Sequence, residues 1–297
     1  MEKSRVYFKR EISPEAVLSV YRATGKKLTG RIAVKVHSGE EGNQNFLHPP
    51  FWRPVVEEVG GRVVECNTAY GGARNTTAKH LKLLRVHGWN DFFDVDLMDA
   101  EGPDDRIAVP AGAVHLQYDI VGKNLKNYDG MLVLSHFKGH PMGGFGGALK
   151  QLSIGCASAA GKVNIHSAGR YQKAEEQDVM WGDLPPQNDF LQSMAEAAGA
   201  VHAHFGGNTV YVNVMANMSV DCDCCAVAED PCMKDIGVLA SLDPVAIDRA
   251  CLDLVRASSD PGKAHFMERV TSRNGELTVE AAEKLGVGSR EYELIEL

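Results

Sequence analysis

The chain is 297 residues long, 44% hydrophobic and 24% charged, enough to bury a full core as one large or two smaller domains. Its 31 basic residues against 39 acidic ones leave a formal charge of -8, a field that repels phosphates and argues against a nucleic-acid or anionic-membrane partner. The opening "MEKSRVYFKREISPEAV" has no apolar centre and no later run reaches a membrane span, so a cytoplasmic protein is expected, in a reducing compartment where seven cysteines are not a disulfide framework.

In chain order, short β-branched runs alternate with helical patterns. "RIAVKVH" at 31–37 reads as a strand, and the "VHSGEEGN" that overlaps it places His37, Glu40 and Asn43 at its end. "RVVECN" at 62–67 is a second strand. "RNTTAKHLKLLRVHGW" is then a helix, with Asn75 or Thr76 as N-cap, Leu81, Leu84 and Val86 as apolar positions and Gly88 as its stop. "FFDVDLM" at 92–98 is a strand carrying Asp96, and "GMLVLSH" at 130–136 another. Further on come "TVYVNVMANM" from Thr209, "IGVLAS" from Ile236, and the helix "DPVAIDRACLDLVRA", where Asp243 is the N-cap and Pro244 the first helical position. The alternation predicts an α/β fold, a mostly parallel sheet flanked by helices. Residues 1–257 are expected to form that domain. Residues 258–297 are expected to pack on it as a helical tail split by Asn274-Gly275, and the polar segment 169–190 is a candidate lid.

The chemistry concentrates at 135–167, "SHFKGHPMGGFGGALKQLSIGCASAAGKVNIHS". A strand runs into Gly143, Gly144, Gly146 and Gly147 and then into a helical pattern. Glycines let a ligand approach the backbone, and the first-turn amides of the helix are expected to face an anionic ligand, a carboxylate or phosphate. The loop is neither a P-loop, since Lys150 lies between Leu149 and Gln151, nor a dinucleotide fingerprint, since Leu149 takes the place of the third glycine. His136 and His140 flank Lys138 at the carboxyl end of a strand, the edge where open α/β sheets bind ligands, and His166 follows the next helix. Imidazoles there can ligate a metal or move protons near neutrality. A second cluster, "DCDCCAVAEDPC", holds Cys222, Cys224, Cys225 and Cys232. Thiolates this dense bind zinc or iron if the loop converges them, with Cys156 able to join, or else simply fill space between buried strands.

Four separated blocks, "AVKVHSGEEGN", "GGARNTTAKHL", "YDGMLVLSHFKGHPMGGFGGALKQLSIGCASAAGK" and "DIGVLASLDPVAIDRACLDLV", resemble the domain-of-unknown-function 362 family over about 32–255. Many relatives carry an inserted bacterial-ferredoxin module, but the Cys-x2-Cys-x2-Cys-x3-Cys-Pro run it needs is absent between His166 and Thr209. The chain resembles more distantly the nickel-pincer lactate racemase family, whose block of histidine, glycine-rich loop, lysine and histidine has the spacing of His140, Lys150 and His166. That resemblance implies a similar fold, with Lys150 tethering a nicotinate-derived pincer cofactor, His166 completing the nickel coordination, His140 as acid/base and Arg74 at the substrate. The family's second, opposed histidine is replaced here by Asp96 or Asp99, which puts symmetric racemisation in doubt.

The expected function is therefore a metal- or metallo-cofactor-dependent enzyme that transfers hydride, electrons or protons on a small organic acid. His140, Lys150 and Asp96 are its catalytic candidates; Arg74, His37 and Lys138 hold the anionic metabolite; His136, His166 and the four clustered cysteines are candidate metal ligands. The metal is nickel in a pincer, iron-sulfur or zinc. Two alternatives stand beside it: an iron-sulfur or zinc protein whose thiols carry electrons to a redox partner or brace the fold, and a non-catalytic anion-binding module.

Overall fold

In a computed structural model that describes residues 3–102 and 104–297, the chain folds around one eight-stranded sheet. The first half supplies β1 (Ser4–Lys9), α1 (Pro14–Ala23), β2 (Ile32–Lys35), α2 (Pro49–Val59), β3 (Arg62–Glu65), α3 (Thr77–Val86), α4 (Trp89–Phe92), β4 (Val95–Leu97), β5 (Asp105–Ile107), β6 (Asp119–Val121) and β7 (Gly130–His136). The chemically dense stretch follows as β8 (Lys138–His140), β9 (Gly144–Gly146), α5 (Ala148–Cys156) and α6 (Ala159–His166). The chain then adds α7 (Gln177–Gly182), α8 (Gln187–His204), β10 (Thr209–Met215), β11 (Gly237–Ser241), α9 (Pro244–Ala257), α10 (Lys263–Ser272), α11 (Leu277–Lys284) and β12 (Tyr292–Glu296).

The strand order is β12-β1-β11-β10-β7-β2-β3-β4, and β11 runs against the other seven. The middle strands explain the architecture. β7 and β10 are buried along their whole length, the apolar run that a parallel strand needs when both faces are covered. Side-chain alternation splits them between two cores: Met131 and Val133 pack with α5 and α9 residues on one face, Leu132 and Leu134 with Val17, Trp52 and Val55 on the other. The expected caps form, with Thr76 accepting from the Lys79 amide and Asp243 from those of Val245 and Ala246.

Two differences have physical causes. The buried stripe of α3 is His80, Leu83 and Leu84, while Val86 is exposed, because the helix turns a histidine inward to meet Ser38 and Asn67. The tail is not wholly helical: β12 pairs in parallel with β1 and extends the main sheet, and Phe266, Val270, Val279 and Ala282 lie in its core. On β6, Asp119 is buried with neither carboxylate oxygen hydrogen-bonded, and burial pushes its acid up to about 8.

Candidate active site

The carboxyl ends of β2, β3 and β7, together with the β8–β9 hairpin, α5 and α6, enclose a cavity of about 440 Å³. In the hairpin, Gly139 lies against the Val220 backbone, where a Cβ would come within 2.2 Å of the carbonyl oxygen. That approach brings β8 to the cysteine loop. The loop is pinned in turn: Asn43 Nδ2 donates to the Cys225 carbonyl at 2.8 Å, and the Glu40 amide donates to the Asp223 carbonyl at 2.8 Å.

Asp223, between two cysteines, turns its carboxylate toward His136 Nδ1 at 2.9 Å and Lys138 Nζ at 2.8 Å. Cys222 and Cys224 turn the other way, toward His140. The His140, Cys222 and Cys224 donor atoms lie within 4.8 Å of one another, and no second convergence of three such ligands occurs among the described residues. Lys150 Nζ sits 3.1 Å from Cys222 Sγ. Burial would raise the Cys222 thiol, but the Cys224 thiol, Lys150, Lys138 and His140 outweigh it and hold Cys222 well below the ordinary thiol range. Cys224 moves the opposite way, chiefly because its thiol donates to Cys222.

The imidazoles are set by their backbone partners. His140 Nδ1 accepts from the Gly143 amide at 2.8 Å and the Met142 amide at 3.1 Å, so its ring proton sits on Nε2, on the side of the sulfurs. His37 is fixed the same way by the Gly39 amide at 3.1 Å. His166 is the reverse: Nδ1 donates to the Lys162 carbonyl at 2.7 Å, which leaves Nε2 bare. Its ring is held between Phe190 and Trp181, and Trp181 comes from the 169–190 segment and donates to the Ala69 carbonyl at 2.8 Å. Burial depresses His37, His140 and His166 to about 4 each, so all three are neutral at pH 7.

The model of a domain of unknown function, DUF362, matches residues 32–253. The chain belongs to the DUF362 family. No curated protein matches it by sequence. Among solved structures it is similar to the lactate racemase apoprotein from Thermoanaerobacterium thermosaccharolyticum, at 12% identity and a TM-score of 0.41 over 70% of this chain and 50% of that one. It is also similar to a protein from Thermotoga maritima, at 12% identity and a TM-score of 0.46 over 91% of this chain and 58% of that one. The chain thus spans half to somewhat more than half the length of these two structures. No helix of the described residues is long and apolar enough to cross a membrane.

Of the residues singled out in this DUF362 sequence, His37, Arg74, His136, Lys138, His140, Gly146, Gly147, Lys150, His166 and Cys224 border the cavity. Several expectations are corrected. The first-turn amides of α5 do not await an anion, because Asp248 of α9 accepts from Ala148 at 2.8 Å and Leu149 at 3.0 Å. Gly147 is required by that cap, since a Cβ would lie 2.3 Å from Asp248 Oδ1, and Gly144, at φ 78, packs on Gly275. Gly143 serves by orienting His140.

Asp96 lies away from the cavity, in a groove with Arg62 and Tyr128, where it accepts from the Tyr128 hydroxyl at 2.7 Å and Asn124 at 2.9 Å. His136 has no nitrogen left for a metal, because Nε2 faces the Ala216 carbonyl at 2.5 Å. Cys232 faces the Met218 carbonyl at 3.2 Å, Cys156 is core, and Cys225 stays outside the ligand group. Arg74 meets Glu40 at 3.2 Å and the Tyr70 hydroxyl at 2.6 Å, so it buttresses the wall. Sequence reading passed over Lys35 and Glu65, whose only local signal is a charge inside an otherwise apolar run.

Proposed function

We propose that the cavity is the active site of a metal- or metallo-cofactor-dependent enzyme performing redox or hydride/proton transfer on a small organic acid. The observation that carries this reading is the convergence of one imidazole and two thiols, with a lysine on one sulfur, at the wall of a buried cavity rich in cations. A donor set of two sulfurs and one nitrogen suits a soft or borderline metal, zinc, nickel or iron among them. Such a metal supplies a Lewis acid or an electron store when bound.

This chain's own residues do the rest. Cys222, Cys224 and His140 would hold the metal: Cys224 would give up its thiol proton, and the neutral His140 ring would bind through its unprotonated nitrogen, releasing the Gly143 and Met142 amides that Nδ1 now accepts from. Lys150 balances the thiolate charge; an ammonium so placed is a counter-ion, and a covalent tether needs it neutral. His166, with its bare Nε2 in the cavity, accepts the substrate's proton. This exchanges the parts that resemblance alone gives the two histidines. Trp181, from the 169–190 segment, walls the cavity and shields it from water. A four-thiol iron-sulfur centre has less support, because Cys232 is committed elsewhere, and so has a purely structural metal, because Asn43, Gln44 and Asn45 already staple the loop.

Elemental analysis and intact mass of protein from its own host test the reading. About one soft metal per chain is expected, lost in Cys222→Ser/Cys224→Ser and kept in Cys232→Ser, and the mass reports any group on Lys150. Metal-free wild type, or equal metal in the double variant, refutes it. A metal-stripped protein that still binds organic anions and never turns them over supports an anion-binding module instead.

A further inference from the structure

Helix α6 turns two polar side chains into the cavity one turn apart, Lys162 and His166. The other cavity cations are each matched by an acid. Lys35 meets Glu65 at 2.7 Å, Lys138 meets Asp223 at 2.8 Å, Lys150 meets Cys222 Sγ at 3.1 Å, and Arg74 meets Glu40 at 3.2 Å. Lys162 is different. Its Nζ donates to the Ala157 carbonyl at 2.6 Å, and among the described residues no carboxylate stands within ion-pair distance of it. Asp99, an acid nearby, is taken by the amides of Asn67 and Ala159 at 2.9 and 3.1 Å.

A buried ammonium with no counter-ion is costly, so burial pulls the Lys162 pKa down, and an anion that enters the cavity restores its charge. We propose that Lys162 anchors the carboxylate of a small organic acid and so sets the neighbouring carbon and its hydroxyl or keto oxygen before His166 Nε2. This rests on the cavity being the substrate site. A monocarboxylate supplies the one counter-charge that Lys162 lacks, whereas a phosphate dianion brings a second charge that this ammonium does not meet. The anchor and the proton acceptor share one rigid helix, so their separation is fixed without a loop having to close.

Calorimetric titration with pyruvate, its uncharged isostere pyruvamide and inorganic phosphate tests the anchor in wild type, Lys162→Met and Lys162→Arg. Expected is pyruvate binding to wild type that weakens at least about tenfold in Lys162→Met and survives in Lys162→Arg, with pyruvamide and phosphate binding more weakly. Lys162→Met should melt no lower than wild type, since it removes an unpaired buried charge; a lysine that merely braced Ala157 would lower the melting point and leave pyruvate alone. No pyruvate binding to wild type, equal binding to Lys162→Met, or pyruvamide or phosphate binding as tightly as pyruvate overturns the anchor. Metal content, measured on the same samples, keeps the two readings apart: metal-free protein that needs Lys162 for pyruvate keeps the anchor and sinks the metal enzyme, and the reverse result does the opposite.

Discussion

Replacing Glu65 with Gln is expected to cost about 3–5 kcal/mol of stability, the range for removing one partner of a buried ion pair. Glu65 ends β3 beneath the cavity and is buried among cations. Its Oε2 meets Lys35 Nζ at 2.7 Å, its Oε1 accepts the Ser38 amide at 2.8 Å, and Arg74 lies 3.8 Å away. Burial alone would raise this acid; Lys35, then His37 and Arg74, outweigh it and hold it far below the carboxylate range. The amide keeps the shape but leaves Lys35 without a counter-charge and turns an N–H toward donors. Urea unfolding reads the loss, and Lys35→Met/Glu65→Gln should recover much of it by removing the stranded ammonium. A cost below about 1 kcal/mol, typical of an exposed pair, would mean that water reaches this carboxylate.

Acid should unfold the protein steeply between about pH 6 and pH 4. Burial lowers His37, His140 and His166 to about 4 and His80 to about 3, whereas in the unfolded chain each titrates near its ordinary value of about 6.5. In that window the unfolded state binds the protons, so stability is lost as pH falls. Three acids oppose this. Burial raises Asp119 to about 8, Asp248 to about 6 and Asp99 as well, so the native state holds protons that the unfolded state releases, and these favour folding as pH falls. Burial also lowers His87, His202 and His204, so seven bases stand against three acids and unfolding takes up protons near pH 5, at about 1.4 kcal/mol per pH unit for each net proton. Urea midpoints at pH 7, 6 and 5 measure it; a flat profile would mean that the histidines are hydrated in the folded state.

The sheet was legible because its central strands carry their signal locally. "GMLVLSH" and "TVYVNVM" are continuous apolar runs, and Asp243-Pro244 marks a helix start within two residues. β1 and the edge strand β12 have only partial burial to pattern them. In the site, the identity of the dense block could be read from residue types, but what each residue does depends on partners distant in the chain. The α5 amides are capped by Asp248, a hundred positions on, which no local pattern can announce. Asp223 belongs to His136 and Lys138 rather than to the thiols beside it, and the proton positions on His140 and His166 follow from which backbone groups face their Nδ1 atoms. Lys35 looks like a surface charge until the fold buries it.

X-ray absorption at the edge of whichever metal the purified protein carries tests the central claim most directly. Two sulfur neighbours and an imidazole nitrogen are predicted for wild type, with the sulfur shell gone from Cys222→Ser/Cys224→Ser. A shell of oxygen and nitrogen alone, or a four-sulfur shell that survives the double substitution, would contradict the assignment of this cavity wall.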